Sequence, residues 1–206
     1  MNITLEHLYA VTDPAGSEPF AGVTADLVQP LFPGAPLANI AANLPLVLDA
    51  LAAARLTDTP MLLAALATIR AETAAFLPLT EAASRFNTMP GGVPFALYDH
   101  RTDLGNQGPP DGATFRGRGF VQLTGRANYS RYGMRLSLPL LDNPALAAQP
   151  WPAARILAAF LCDRADAIRA ALAQNDLARA RRLVNGGSNG LDHFAAVYSA
   201  GLSVLA

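Results

Sequence analysis

Glu72 and Glu81 are the residues of this chain whose type and spacing best suit chemistry. Glu72 comes late in the helix-patterned run ATIRAETAAF, three residues beyond Ile69 and six beyond Leu66, close to the apolar side of that helix. A carboxyl group beside apolar walls keeps its proton more readily than one in water, as a general acid at neutral pH must. Glu81 follows nine residues later. On one unbroken helix that separation is about 2.5 turns, which would set the two carboxylates on opposite faces. Pro78 lies between them, so the chain can fold back and aim Glu81 at Glu72 across a cleft. Two carboxylates facing each other over a groove are the minimum equipment for glycosidic hydrolysis. Taken alone the pair says little, because a solvent-facing helix Glu is the ordinary alternative for Glu72.

A second set of polar residues lies in FRGRGFVQLTGRANYSRYG, residues 115 to 133. Read as a strand, this segment puts Gln122 and Thr124 on one face and Val121 and Leu123 on the other. Asn128 follows. Such a face can hydrogen-bond hydroxyls, amides and a positioned water, and Gly117 and Gly119 would let backbone approach a ligand. The tract is no phosphate loop: no helix opening with Lys follows, and the chain contains no Lys. A half-exposed edge strand beside turn glycines is the plain alternative. Asn185, before two glycines in RRLVNGGSNG, is a further candidate, with an ordinary helix stop as its alternative. No His/Cys cluster offers a metal site, and nothing calls for a cofactor.

The elements that must position these residues are mainly helical. Helical patterning covers Ala38 to Ala54, then about Met61 to Phe76, where Leu62, Ala65, Leu66 and Ile69 form an apolar face. Thr59 is expected to cap that second helix, with Pro60 at its first position. Trp151 to Ala173, Leu177 to Val184 and Leu191 to about Leu205 complete the helices, and a short one near Leu5–Ala10 precedes them. Between Leu79 and about Gly119 the chain is loop-rich, and a loop that long in a compact domain usually carries function. The expected fold is one mainly α domain with a helical core, at most a small β-sheet, and a cleft. Residues 1–36 would form an N-terminal extension packing on it.

Composition narrows the partners. At 206 residues, 51% hydrophobic and 15% charged, the chain can bury one core, and a net charge of -1 gives no reason to expect nucleic acid. The single cysteine, Cys162, sits in ILAAFLC and reads as a buried, inert thiol. The N-terminus lacks the basic and apolar regions of a Sec signal. The apolar stretch around residues 44–70 is interrupted by Asp49, Arg55 and Asp58, so it reads as two packed helices and not as a membrane span.

These pieces, in this order, resemble the family 19 glycoside hydrolases: chitinases and, closer still, the compact phage-type endolysins that share their fold. RGRGFVQLTGRANY is similar to the family's G-R-G-x-[IV]-Q-[LI]-[ST]-x-x-x-N-Y segment, and YDHRTDLGNQGPPDGATF to the stretch preceding it in the endolysin branch. RRLVNGGSNGL resembles R-x-[IV]-N-G-G, and the helix ending at Glu72 stands where the family has H-E-[ST]-G-G-F. The resemblance spans about residues 38 to 200. It implies a lysozyme-like fold, Glu72 as general acid, and Glu81 as general base. It also implies substrate-binding roles for Gln122, Thr124, Asn128, Tyr129, Asn185, Tyr98 and Arg118, with Thr124 helping to hold the attacking water. The reaction implied is inverting, with carboxyl groups about 6.5–9.5 Å apart. Ala71, Ala74 and Ala75 depart from the family pattern, as do Asp99 and His100, and Asp99 is a candidate auxiliary carboxylate.

The leading expectation is thus a monomeric peptidoglycan hydrolase, a muramidase or glucosaminidase, reaching the cell wall through holin-type release or specialised secretion. If it is a secreted effector, an immunity protein would plug the cleft. A chitinase acting on chitin oligomers, a degenerate glycan-binding member and a lytic transglycosylase remain as alternatives.

Overall fold

Pro, Asp and left-handed backbone set the helix boundaries, and total apolar content decides which helix is central. In the computed structural model, which describes residues 19–187 and 189–205, nine α-helices appear among the described residues. They are α1 (Ala25–Val28), α2 (Leu37–Ala53), α3 (Thr59–Thr73), α4 (Asp111–Thr114), α5 (Arg126–Leu136), α6 (Pro150–Cys162), α7 (Ala165–Ala173), α8 (Leu177–Asn185) and α9 (Leu191–Val204). Two-residue strands β1 (Leu79–Thr80) and β2 (Arg118–Gly119) pair antiparallel, Leu79 opposite Gly119 and Thr80 opposite Arg118. The expected helix near Leu5–Ala10 lies outside the described residues.

Helix α3 is buried all round, not on one face only: residues 61–69 are each at most 3% exposed, including polar Thr68, whose hydroxyl donates to the Ala64 carbonyl. A helix apolar on every side belongs at the centre of a core. Here α9 packs along α3, α2 packs along α6, and α7 packs along α8. Asp58, and not Thr59, caps α3, because its Oδ1 accepts from the Met61 N–H while Pro60 occupies the first turn. Residues 151–173 form two helices, since the chain turns at Asp163 and Arg164 between α6 and α7. A second, smaller core behind β2 is built from Phe115, Leu123, Tyr129, Tyr132, Leu140 and Ile156. Cys162 is only partly buried. Val28, Leu31 and Phe32 are buried in the main core, so the part of the N-terminal extension that is described is integral to the packing. Among the described residues no helix is long and apolar enough to cross a membrane.

The segment joining α3 to β1 determines where both glutamates point. Ala74 and Phe76 both have positive φ, 47° and 56°, which reverses the chain before Pro78. From α2, Asn39 Nδ2 donates to the Ala75 carbonyl (3.0 Å) and Asn43 Nδ2 to the Phe76 carbonyl (3.2 Å). The Phe76 ring is fully buried between Phe32 and Phe120, at centroid distances of 4.7 and 6.1 Å. Phe120 belongs to the turn that follows β2, so this aromatic contact joins the reversal after Glu72 to the turn before Gln122.

Candidate active site

Glu81 sits immediately after β1, and its backbone extends the strand pairing: its N–H donates to the Gly117 carbonyl at 2.8 Å. The carboxylate accepts three hydrogen bonds. Oε1 accepts from Asn87 Nδ2 and from the Tyr98 hydroxyl, both at 2.9 Å, and Oε2 accepts from the Gly117 N–H at 3.0 Å. All three donors are neutral. Asn87 is fully buried and also organises its own loop, donating to the Ala82 carbonyl and accepting from the Ser84 N–H and the Thr88 hydroxyl. Burial first, then the hydrogen bond to Glu81 and the charge of Glu81, push the Tyr98 phenol up to about 12. Tyr98 therefore keeps its proton and donates it to Glu81.

The polar set expected on a strand is present, on different backbone. Arg118 and Leu123 bridge across a tight turn, and Gln122 within it is left-handed, with φ 48°. Gln122 and Thr124 therefore do not alternate along a strand, and Asn128 is in the first turn of α5. They still converge. A Cβ placed on Gly117 would lie 2.8 Å from Gln122 Oε1, 3.1 Å from Glu81 Oε2 and 3.3 Å from Thr124 Oγ1. Three of the expected site residues thus meet around one glycine, which has no room for a side chain. Gln122 donates to the Leu79 and Gly119 carbonyls, Thr124 to the Gln122 carbonyl, and Asn128 to the Thr124 carbonyl at 2.8 Å. Gly119 does not serve ligand approach, because the Ala147 carbonyl already lies 2.5 Å from where its Cβ would be.

Tyr129 and Arg118, expected against substrate, are interior. Tyr129 is fully buried, its hydroxyl donates to the Arg116 carbonyl, and it accepts from Arg118 Nη1 at 2.8 Å. The pair braces the turn from behind. Asp99 is also structural: it is 7% exposed, and its Oδ1 accepts from the Gly112 N–H at 2.8 Å, which fixes the start of α4. It is no third carboxylate of the cleft. The DLGN tract has a scaffolding role too. Asn106 donates to the Tyr98 carbonyl and accepts from the Arg126 N–H, so it ties the Tyr98 loop to α5. Arg126 in turn clasps Asp111 through Nε and Nη2 and holds that carboxyl below its ordinary range.

Glu72, in the last turn of α3, has a different environment from the apolar one its sequence neighbours imply. Its Oε1 accepts from Arg181 Nη2 at 2.7 Å, and the Arg181 side chain is 1% exposed while that of Glu72 is 16% exposed. Arg181 Nε also donates to the Asn189 carbonyl at 2.9 Å. Asn185, at the end of α8, donates to that same carbonyl at 3.4 Å, which brings it to the Glu72 side of the site. Asn87 and Arg181 were not among the residues expected from the sequence. For Arg181 a signal existed: it shares the inward stripe of α8 with Ala180 and Val184, where a buried charge requires a partner. Asn87 had none. Among the described residues no group of three or more His, Cys, Asp or Glu is placed to hold a metal ion.

No family model and no curated protein matches the sequence. Solved structures do match. A chitinase C mutant superposes with a TM-score of 0.61 at 21% identity, covering 89% of this chain and 76% of that one. Chitinase C from Streptomyces griseus superposes with a TM-score of 0.57 at 19% identity, with the same coverage of 89% and 76%. This chain therefore shares the mainly helical, lysozyme-like fold of the family 19 chitinases.

Proposed function

We propose that the chain is a glycoside hydrolase that cleaves β-1,4 bonds between N-acetylated hexosamines of peptidoglycan, with inversion at the reacting carbon. The observation that carries this reading is the convergence of Glu81, Gln122 and Thr124 on Gly117. A carboxylate has about four lone-pair sites, and three of those on Glu81 are filled by protein donors. The remaining site, beside the Thr124 hydroxyl, is suited to a water. Glu81 takes a proton from that water as it attacks the anomeric carbon, and Glu72 gives a proton to the departing glycosidic oxygen from the other face of the ring. Gln122, Asn128 and Asn185 offer amides to the acetamido groups and hydroxyls of the bound sugars.

Preference for peptidoglycan over chitin rests on the likeness of the DLGN stretch to endolysins. Action on a cell wall, reached through holin-type release or specialised secretion, is part of the same proposal, as is a cleft-plugging immunity protein for a secreted form. One observation favours a second reading, glycan binding without cleavage: Oε1 of Glu72 is already engaged, at 2.7 Å, by the buried Arg181 guanidinium.

Purified protein is incubated with peptidoglycan and, in parallel, with an N-acetylglucosamine hexamer, using Glu72→Gln as the blank. Borohydride-reduced products are then weighed by mass spectrometry. New N-acetylmuramitol or N-acetylglucosaminitol ends, absent from the blank, support hydrolysis and identify the bond cut. Anhydro ends point to a transglycosylase, cleavage of the hexamer alone to a chitinase, and saturable binding without products to the second reading.

A further inference from the structure

Arg181 hydrogen-bonds both Glu72 and the loop facing it. It comes from α8, 109 positions along the chain from Glu72, and it divides its donors between the Glu72 carboxyl (2.7 Å) and the Asn189 carbonyl (2.9 Å). The loop it holds fits tightly. Gly190 has a φ of 73°, and a Cβ there would lie 3.1 Å from the Ala71 Cβ and 3.4 Å from Arg181 Nη2. The loop thus rests on the residue next to Glu72, with the guanidinium between them.

From this the geometry points to Arg181 as a positioning residue that fixes which oxygen of Glu72 delivers the proton: Oε2, with Oε1 held by the guanidinium and the Asn189–Gly190 loop locked to the same group. The inference rests on Glu72 acting as the proton donor. A guanidinium has donors and no acceptor, so the oxygen bonded to it cannot also carry a hydroxyl proton directed there. Among the described residues Oε2 accepts no hydrogen bond, and it is therefore the oxygen able to carry the proton. Because the guanidinium is itself held by the Asn189 carbonyl, its bond to Oε1 restrains the last bond of Glu72 and biases the direction in which Oε2 points. A misplacement of about 1 Å in such a group can cost on the order of 100-fold in rate.

The test compares wild type, Glu72→Gln, Arg181→Met and Arg181→Lys on peptidoglycan and on the N-acetylglucosamine hexamer, with hydrogen exchange of residues 186–191 measured alongside. Arg181→Met is expected to lose about 10- to 100-fold in kcat, with KM moving less than about threefold. Added guanidinium ion should restore part of that loss, and exchange in the loop should rise. Arg181→Lys should keep the charge near Glu72 but not the bond to Asn189, giving an intermediate kcat. If Arg181→Met fails to fold, Gly190→Ala replaces it: a methyl at a φ of 73°, pressed against both Ala71 and Arg181 Nη2, strains the loop on the clamp and should lower kcat and raise loop exchange. Unchanged or raised kcat in folded Arg181→Met, with Glu72→Gln inactive, overturns the inference and leaves the hydrolase reading intact. Activity of Glu72→Gln equal to wild type overturns the hydrolase reading itself. In that event loop exchange alone decides whether the clamp exists, and unchanged exchange in Arg181→Met rejects it.

Discussion

Glu72 and Glu81 are held by opposite means. Glu81 is gripped by neighbours: Asn87 and Tyr98 come from the loop it opens, and Gly117 from the strand beside it, all neutral donors. Glu72 is gripped from afar by one permanently charged group on another helix. The difference teaches how each can fail. The Glu81 setting spreads its hold over several modest bonds, each worth about 1 kcal/mol net, so the loss of one should blunt it. The Glu72 setting depends on a single buried ion pair, and removing one partner of such a pair costs about 3–5 kcal/mol because the other is left unpaired.

The largest effects test the comparison at its centre. Glu72→Gln should drop hydrolysis by more than about 10³-fold and also lower Tm, because buried Arg181 loses its counter-charge, while the circular dichroism of the folded chain stays near wild type; Glu81→Gln should lose about 10²- to 10⁴-fold. A mild loss in Glu72→Gln would break the assignment. On the spread-out side, Thr124→Ala and Tyr98→Phe should each lose only about tenfold in kcat, equivalent to one hydrogen bond of about 1.4 kcal/mol, in a steady-state assay. The next effect is a titration. Tyr98 should ionise near 12, and NMR of its ring in Glu81→Gln should show a lower value, still above 10.0 because burial, the largest cause, remains. The sign follows from proton uptake. Between 10.0 and about 12 the folded chain keeps a proton that the unfolded chain has lost, so Tyr98's contribution to stability is complete below that window and disappears as pH rises through it. The smallest effect concerns the link between the two sites. Ala74→Gly should stabilise the fold by about 1 kcal/mol in denaturant melts, since Ala74 has a φ of 47° that glycine adopts without strain.

Much of this was legible in residue order. Pro60 opens α3, although the helix stops at Thr73, where Ala74 takes a positive φ, and does not run on to Phe76 before Pro78; the apolar stretch resolves into α2 and α3 as its interrupting charges imply. Gln122 and Thr124 were expected to share a face, and they do meet on one side of Gly117, although the strand on which they were expected is a turn. Their spacing of two fits either, because the left-handed Gln122 returns its side chain to the Gly117 side, and alternation alone cannot distinguish the two. Tyr129 and Arg118 show the opposite limit. A motif records that residues occur together and not whether they face ligand or interior, and this pair is buried behind the site. Asn87 and Arg181 depend on contacts between segments 6 and 109 positions apart, and only the folded chain brings those segments together.

The two amides that α2 extends to the Ala75 and Phe76 carbonyls have a further consequence. They fasten the bridge between Glu72 and Glu81 to a helix that carries neither. The gauge of the jaw is thus set by the chassis, and under the proposed mechanism its stereochemical outcome becomes a property of how α2 is docked. Shifting Asn39 and Asn43 by one helical turn would reset that gauge without altering Glu72 or Glu81.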